Sequence, residues 1–190
     1  HYSAEPQMRP RYSGAMLNSA PPVASGRPIR VLRVIARLNM GGPAKHVGIL
    51  SGRRMEARGY ETLLVHGSLA PGEESLEEFA VGEGAELVHL PDLVQPISPG
   101  ADQRAFRELA GLVRRFRPDV VHTHTAKGGF IGRAAALTVR PRPAIVHTYH
   151  GHVLEGYFGR GKTAVYRGLE KTAGRVSDRL IGVSQATVDD

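Results

Sequence analysis

Cysteine and tryptophan are both missing from the 190 residues. Without cysteine there is neither a disulfide nor a thiolate-bound metal, which fits a reducing, cytoplasmic compartment. Aromatic residues make up only 6% of the chain. No arginine-rich run or aromatic-basic module accompanies them, so nucleic acid is not an expected partner. No apolar stretch approaches the ~20 residues that span a bilayer, and no secretory apolar core is visible. The expectation is a soluble chain, at most peripheral to a membrane. What is in excess is positive charge: 25 Lys and Arg against 18 Asp and Glu, a net +7. That balance favours anionic partners such as nucleotides or phospholipid headgroups.

Residues 1–28 carry no periodicity, and Pro6, Pro10, Pro21, Pro22 and Pro28 interrupt any regular element. They are expected to be a disordered leader ahead of one folded domain at 29–188. The domain opens with a strand over Ile29–Leu38, a Gly41-Gly42-Pro43 turn and a helix over Pro43–Arg58 capped by Gly59. Glycine admits the tight turn and proline suits a first helical turn.

The strand-helix alternation then repeats. Further strands are expected at Tyr60–His66, Glu86–Leu90, Asp119–Thr123, Ala144–His152 and Arg179–Val183. Helices are expected near Glu73–Val81, Ala101–Phe116, Lys127–Val139 and Gly159–Val176, that over Lys127–Val139 with Phe130, Ala134 and Leu137 inward. Six strands alternating with helices predict an α/β fold, a doubly wound Rossmann-like parallel sheet in the order 3-2-1-4-5-6.

In such a sheet ligands bind at the carboxyl ends of the strands where the order reverses. Three unusual stretches meet there: Asn39–Gly42, Thr123–Lys127 and Tyr149–His152. Backbone N–H groups of Gly41 and Gly42 at a helix start form an anion site for a diphosphate, unless the pair is a plain turn. The turn lacks both G-x-G-x-x-G and a P-loop lysine, which disfavours nicotinamide, flavin or P-loop nucleotide binding.

The histidines divide. His122 and His124 alternate along one strand and share a face; His122 is expected in the core and His124 nearer the crevice. His147 lies inside its strand as scaffold, while His150 and His152 flank Gly151 where the crevice opens. His46 faces either crevice or solvent, and Lys127 either reaches a phosphate or is solvated at a helix start. Arg160, Arg167, Lys171 and Arg175 form a stripe on the last helix, either an ordinary solvated face or one that attracts anionic lipid headgroups.

These residues resemble a known family. Asn39–Val47 is similar to the Gly-Gly-x-x-x-His turn of retaining glycosyltransferases of the group-one, family-four type. Arg117–His124, Pro143–His152 with Gly156-Tyr157-Phe158, and Asp178–Ser184 are similar to later strands of their N-terminal domain. The resemblance covers about residues 29–188 and implies one half of a GT-B architecture, the acceptor-side domain. It implies a nucleoside diphosphate sugar as donor, a glycan or lipid-linked acceptor, and transfer with retained configuration in cell-surface polysaccharide or glycolipid synthesis.

Gly41 and Gly42 would approach the donor diphosphate and His150 would lie at the reaction centre. His46 and His124 are weaker carry-overs, and Lys127 and His152 complete the expected binding set. Neither a metal nor a cofactor is implied. Ala44 departs from the glutamate common after the Gly-Gly pair. The donor-binding second domain has no counterpart here, so the chain alone is expected to fold without turning over. Two other readings are kept: a binding module for nucleotide, lipid or glycan, and a metallohydrolase with His124 and His150 as zinc ligands.

Overall fold

The computed structural model describes residues 26–151 and 174–184. Within them run β1 (Ile29–Ile35), α1 (Gly42–Ser51), α2 (Arg53–Glu56), β2 (Tyr60–Gly67), α3 (Glu77–Gly82) and β3 (Glu86–Leu90). They continue as α4 (Pro99–Phe116), β4 (Val120–His124), α5 (Ala126–Ala136), β5 (Ala144–Tyr149) and β6 (Arg179–Gly182). The strands form one sheet of order β3-β2-β1-β4-β5-β6, and every pairing is parallel. The doubly wound order expected from the strand-helix alternation is the one observed.

Alternation along β1 decides the two faces. Leu32 and Val34 point to a core that includes Val65, Leu109, Val113 and Val121, together with Ile131 and Ala135 of α5. Ile35 points the other way, to Leu38, Ala44, Val47, Leu64 and Ala80 beneath α1 and α3. The register places Arg33 beside His122 and Ile35 beside His124, and His124 beside Thr148. Arg33, His122, His124 and Thr148 therefore all lie on the α1 side, whereas Thr123 and His147 lie on the α5 side.

At the opposite edge one device is used twice. Asp119 accepts the N–H of Arg30 at 2.9 Å and pairs with Arg27 at 2.7 Å. Asp178 accepts the N–H of Ile145 at 2.7 Å and pairs with Arg142 at 2.7 Å. Each carboxylate satisfies a backbone donor at a strand start that has no ladder partner there.

Several local expectations need correction. The helix expected over Pro43–Arg58 breaks at Gly52, where a Cβ would stand 2.1 Å from the Glu83 carbonyl oxygen. Arg53 N donates to that same carbonyl at 3.0 Å, so the chain bends to meet α3. Beyond the break, Gly59, expected as the cap of that helix, takes φ 84 three residues after the end of α2. The next helix starts at Glu77 rather than Glu73, because the Glu73 carboxylate is bound to Arg37, Asn39 and the N–H of Ala70.

On α5, Phe130 and Leu137 are exposed at 49% and 40%, not inward. The face turned to the sheet consists of Gly128, Gly129, Ile131, Gly132, Arg133, Ala135 and Ala136. A Cβ on Gly128 would lie 2.9 Å from Ala36 N, and one on Gly132 would lie 2.6 Å from Thr123 Cγ2. Glycine lets the helix sit against the strands, and a search for bulky apolar residues overlooks such a face. His152, the Gly156-Tyr157-Phe158 loop, and Arg160, Arg167 and Lys171 lie outside the described residues, as do residues 1–25 of the expected leader.

Candidate active site

The carboxyl edge of β1, β4 and β5 carries Asn39–Gly42, Thr123–Lys127 and the described part of the third stretch, Tyr149–Gly151. The Gly41-Gly42 turn is braced from below: Met40 N donates to Glu74 O at 2.9 Å, and Leu76 N to Leu38 O at 2.8 Å. Gly41 is the N-cap of α1 and Pro43 sits in its first turn. The N–H groups of Gly42 and Ala44 belong to the first turn and have no intrahelical acceptor. Nothing lies within 4 Å of a Cβ placed on Gly42. No contact within the described fold requires glycine there, so the open space favours close approach by a ligand.

One helical turn further on, His46 faces the ends of β4 and β5. Its ring centroid is 5.4 Å from that of His150 and 6.3 Å from that of His124. His124 Nδ1 and His150 Nε2 are 2.9 Å apart. His46, His124 and His150 thus form one cluster, with the glycine turn at its rim. Gly151 follows His150 with φ 150, a conformation open to glycine that turns the chain out of the strand.

Beneath the cluster lies a residue that motif reading passed over. Arg33 is buried in the middle of β1, its Nη1 2.7 Å from His122 Nδ1 and its Nε donating to Leu50 O at 3.2 Å. His122 Nε2 reaches Thr148 Oγ1 at 2.8 Å, and the His122 ring stacks on His124 at 4.3 Å. The available signal was a lone charge within the apolar run IRVLRVI. Thr125 was missed too; it has φ 61 immediately after His124, a conformation costly for a β-branched residue and typical of functional edges.

Electrostatics make the cluster uncharged. Burial, followed by the Arg33 charge, lowers His46 and takes His122 to about 3. Burial and then His46 take His150 to about 4. His124 is driven well down by burial and by His122. At neutral pH the four imidazoles can therefore donate or accept hydrogen bonds but carry no charge. Among the described residues no group of three His, Asp or Glu side chains is placed to hold a metal, and no carboxylate pairs with His46, His124 or His150.

The other candidates lie apart. His147 is on the opposite face, where Nδ1 meets Thr123 Oγ1 at 2.8 Å; burial and the Arg133 charge lower it to about 3. That is the scaffold role expected of it. Lys127 Nζ is 2.5 Å from Asp102 and donates to Pro96 O at 2.8 Å, which ties α5 to α4 and the loop before it.

A family model described as Glycosyltransferase Family 4 matches residues 40–190. Over 92 residues the chain is 36% identical to the UDP-Gal:alpha-D-GlcNAc-diphosphoundecaprenol alpha-1,3-galactosyltransferase of Escherichia coli, covering 48% of this chain and 24% of that protein. A glycosyltransferase from Rickettsia africae ESF-5 superposes with TM-score 0.61 at 13% identity, over 85% of this chain and 38% of the other.

MurG of Acinetobacter baumannii gives TM-score 0.58 at 10% identity, over 84% of this chain and 42% of its own. The UDP-GlcNAc 2-epimerase of Neisseria meningitidis, solved with UDP-GlcNAc, gives 0.58 at 12% identity, over 85% and 42%. The chain therefore spans about a quarter of the galactosyltransferase and about two-fifths of each of these structures. At such identities the structural likeness establishes the fold, one half of a GT-B architecture, and leaves the chemistry to the site.

Proposed function

The chain belongs to glycosyltransferase family 4, and on that premise we propose that it is the acceptor-side half of a sugar transferase. The donor is a nucleoside diphosphate sugar and the acceptor a glycan or lipid-linked saccharide; the anomeric configuration is retained. The observation that carries the reading is the pairing of an open Gly41-Gly42 helix start with a neutral histidine cluster at the same sheet edge. Departure of a nucleoside diphosphate leaves charge on phosphate oxygen, and preorganised N–H groups stabilise such charge. Gly42 and Ala44 supply those groups, and His150 orients the sugar or shares charge at the reaction centre.

No described carboxylate stands in the cluster to act as protein nucleophile or base. In this reading the acceptor hydroxyl attacks on the face the diphosphate leaves, and its proton passes to the departing phosphate oxygen. A second domain would bind the rest of the nucleotide sugar, as the fraction of each relative that the chain spans suggests. The name of the Escherichia coli relative supports UDP-galactose as the first donor to try and a diphosphate-linked lipid acceptor. Work on such an acceptor takes place at a membrane surface, and the net charge of +7 suits a peripheral approach to anionic lipid.

The deciding experiment measures sugar transfer by the full-length protein from a panel of nucleoside diphosphate sugars to a diphosphate-linked lipid saccharide. NMR of the product reads the anomeric configuration. Transfer with retention, lowered about tenfold or more by His150→Ala in a folded protein, is expected. An inverted product, or full activity in His150→Ala, would sink the assignment of this site.

A further inference from the structure

His124 is fully buried yet lies beside the residue placed at the reaction centre, and its hydrogen bonds show what it does there. The tautomers can be worked out from the bottom of the cluster upward. A guanidinium has only donors, so His122 Nδ1, 2.7 Å from Arg33 Nη1, must accept. The His122 proton is therefore on Nε2, donated to Thr148 Oγ1 at 2.8 Å. His122 is thereby locked in place, and its ring, stacked on His124 at 4.3 Å and 29°, forms the floor on which His124 lies.

One proton joins His124 Nδ1 to His150 Nε2 at 2.9 Å. It belongs to one ring or the other. His124 Nε2 is buried without a hydrogen-bond partner among the described residues. If His124 carried its proton on Nε2, a buried N–H donor would go unpaired. If the proton is on Nδ1, only a bare lone pair is buried. Orphaned buried donors are the rarer and costlier of the two, so the proton is on His124 Nδ1 and His150 Nε2 accepts.

We infer that His124 is a positioning residue, whose Nδ1–H holds His150 in the tautomer that carries its own proton on Nδ1, with Arg33, His122 and Thr148 as the support that keeps His124 in place. His150 then offers a substrate an N–H donor rather than a base. Such a donor fits a sugar hydroxyl or a phosphate oxygen. The inference rests on the reading of His150 as the residue at the reaction centre, but its main test does not.

That test is long-range hydrogen–nitrogen correlation NMR of the full-length protein labelled with 15N-histidine, at neutral pH and without substrate. The expected result is a protonated Nδ1 and a bare Nε2 on His150 in the wild type. His124→Asn, whose amide can donate from the position of Nδ1, should keep that pattern. His124→Leu should give a mixture of His150 tautomers. In transfer assays His124→Asn should retain kcat within about threefold, and His124→Leu should lose about tenfold in kcat with the donor KM nearly unchanged.

A wild-type His150 protonated on Nε2 overturns the inference, as does a His150 pattern indifferent to a folded His124→Leu. Should His124→Leu not fold, the wild-type and His124→Asn spectra decide the matter. Absence of sugar transfer by every form would count against the proposed function and leave the tautomer result standing.

Discussion

Arg33 Nη1 and His122 Nδ1 are 2.7 Å apart in the interior of the sheet, a cation held by neutral acceptors and by no carboxylate among the described residues. Burial lowers Arg33 to about 10, and the same burial holds His122 to about 3, His147 to about 3 and His150 to about 4. Arg33, His46 and His150 face His122; Arg133, His122 and His150 act on His147; His46 acts on His150. All of these neighbours disfavour the imidazolium. The unfolded chain, with histidines near 6.5, takes up protons first as pH falls, so stability falls with pH.

Each histidine contributes a slope of about 1.4 kcal/mol per pH unit, beginning near 6.5 and ending at its folded value. The carboxylates overlap only the lower end of this window. Asp119, held at about 2 by Arg27 and the Arg30 N–H, loses its contribution only below the ordinary carboxylate range. Urea denaturation at a series of pH values should therefore show a midpoint that declines steeply between about pH 6.5 and about pH 4. A flat midpoint over that interval would mean that the histidines are not buried in their neutral forms.

Gly42→Ala separates binding from folding. Because no atom lies within 4 Å of the added Cβ and Gly42 does not take a left-handed φ, the substitution meets no clash. It also removes a glycine from a helix terminus, so stability should hold or rise by up to about 1 kcal/mol. If the donor diphosphate packs on this turn, donor affinity should fall by about tenfold or more, because the methyl group occupies the space a phosphate needs. Titration calorimetry with the nucleoside diphosphate, set beside thermal denaturation, reads both effects. Unchanged affinity would leave the turn a structural one.

Much of this organisation was legible in the sequence. The Gly-Gly turn, the alternation of His122 with His124 and the strand-helix rhythm sufficed for the sheet order and for which strand ends converge. Two kinds of residue escaped. The inner face of α5 is made largely of glycine and alanine, whose packing value lies in what they lack, so a search for large apolar residues selected Phe130 and Leu137 instead. Arg33 escaped because its meaning depends on register: only once β1 is paired with β4 does a charge in mid-strand fall beside His122. Local propensity carries no trace of that neighbour.

The packing of α5 gives a stability prediction. In Gly132→Ala the new Cβ would stand 2.6 Å from Thr123 Cγ2, and Thr123 is not free to move away. Its Oγ1 is bound to His147 Nδ1 at 2.8 Å, and its side chain is fully buried. The helix must lift or the Thr123–His147 bond must stretch, at a cost of about 1–3 kcal/mol. Phe130→Ser, on the exposed face, should change stability by less than about 0.5 kcal/mol. Denaturant midpoints of the two variants test which face of α5 is buried; the reverse ranking would contradict the packing described.

Lys127 offers a direct contest between a phosphate ligand and a clamp. Its side chain is 13% exposed, and its ammonium lies against Asp102 at 2.5 Å and also donates to Pro96 O. A phosphate contact would require leaving both partners, with Asp102 stranded near the interface of α4 and α5. Holding α5 in place explains the geometry with no such rearrangement. Lys127→Met, which keeps the aliphatic stem and removes the charge, should then cost about 1–3 kcal/mol in stability, because it leaves Asp102 with only the Ser98 N–H as partner. It should leave the KM for the donor within about twofold. Because Asp102→Asn weakens the same pair from the other side, the double variant should lose less than the sum of the single losses, as expected of groups that act on each other. A donor KM raised about tenfold by Lys127→Met, with stability unchanged, would return this lysine to the diphosphate.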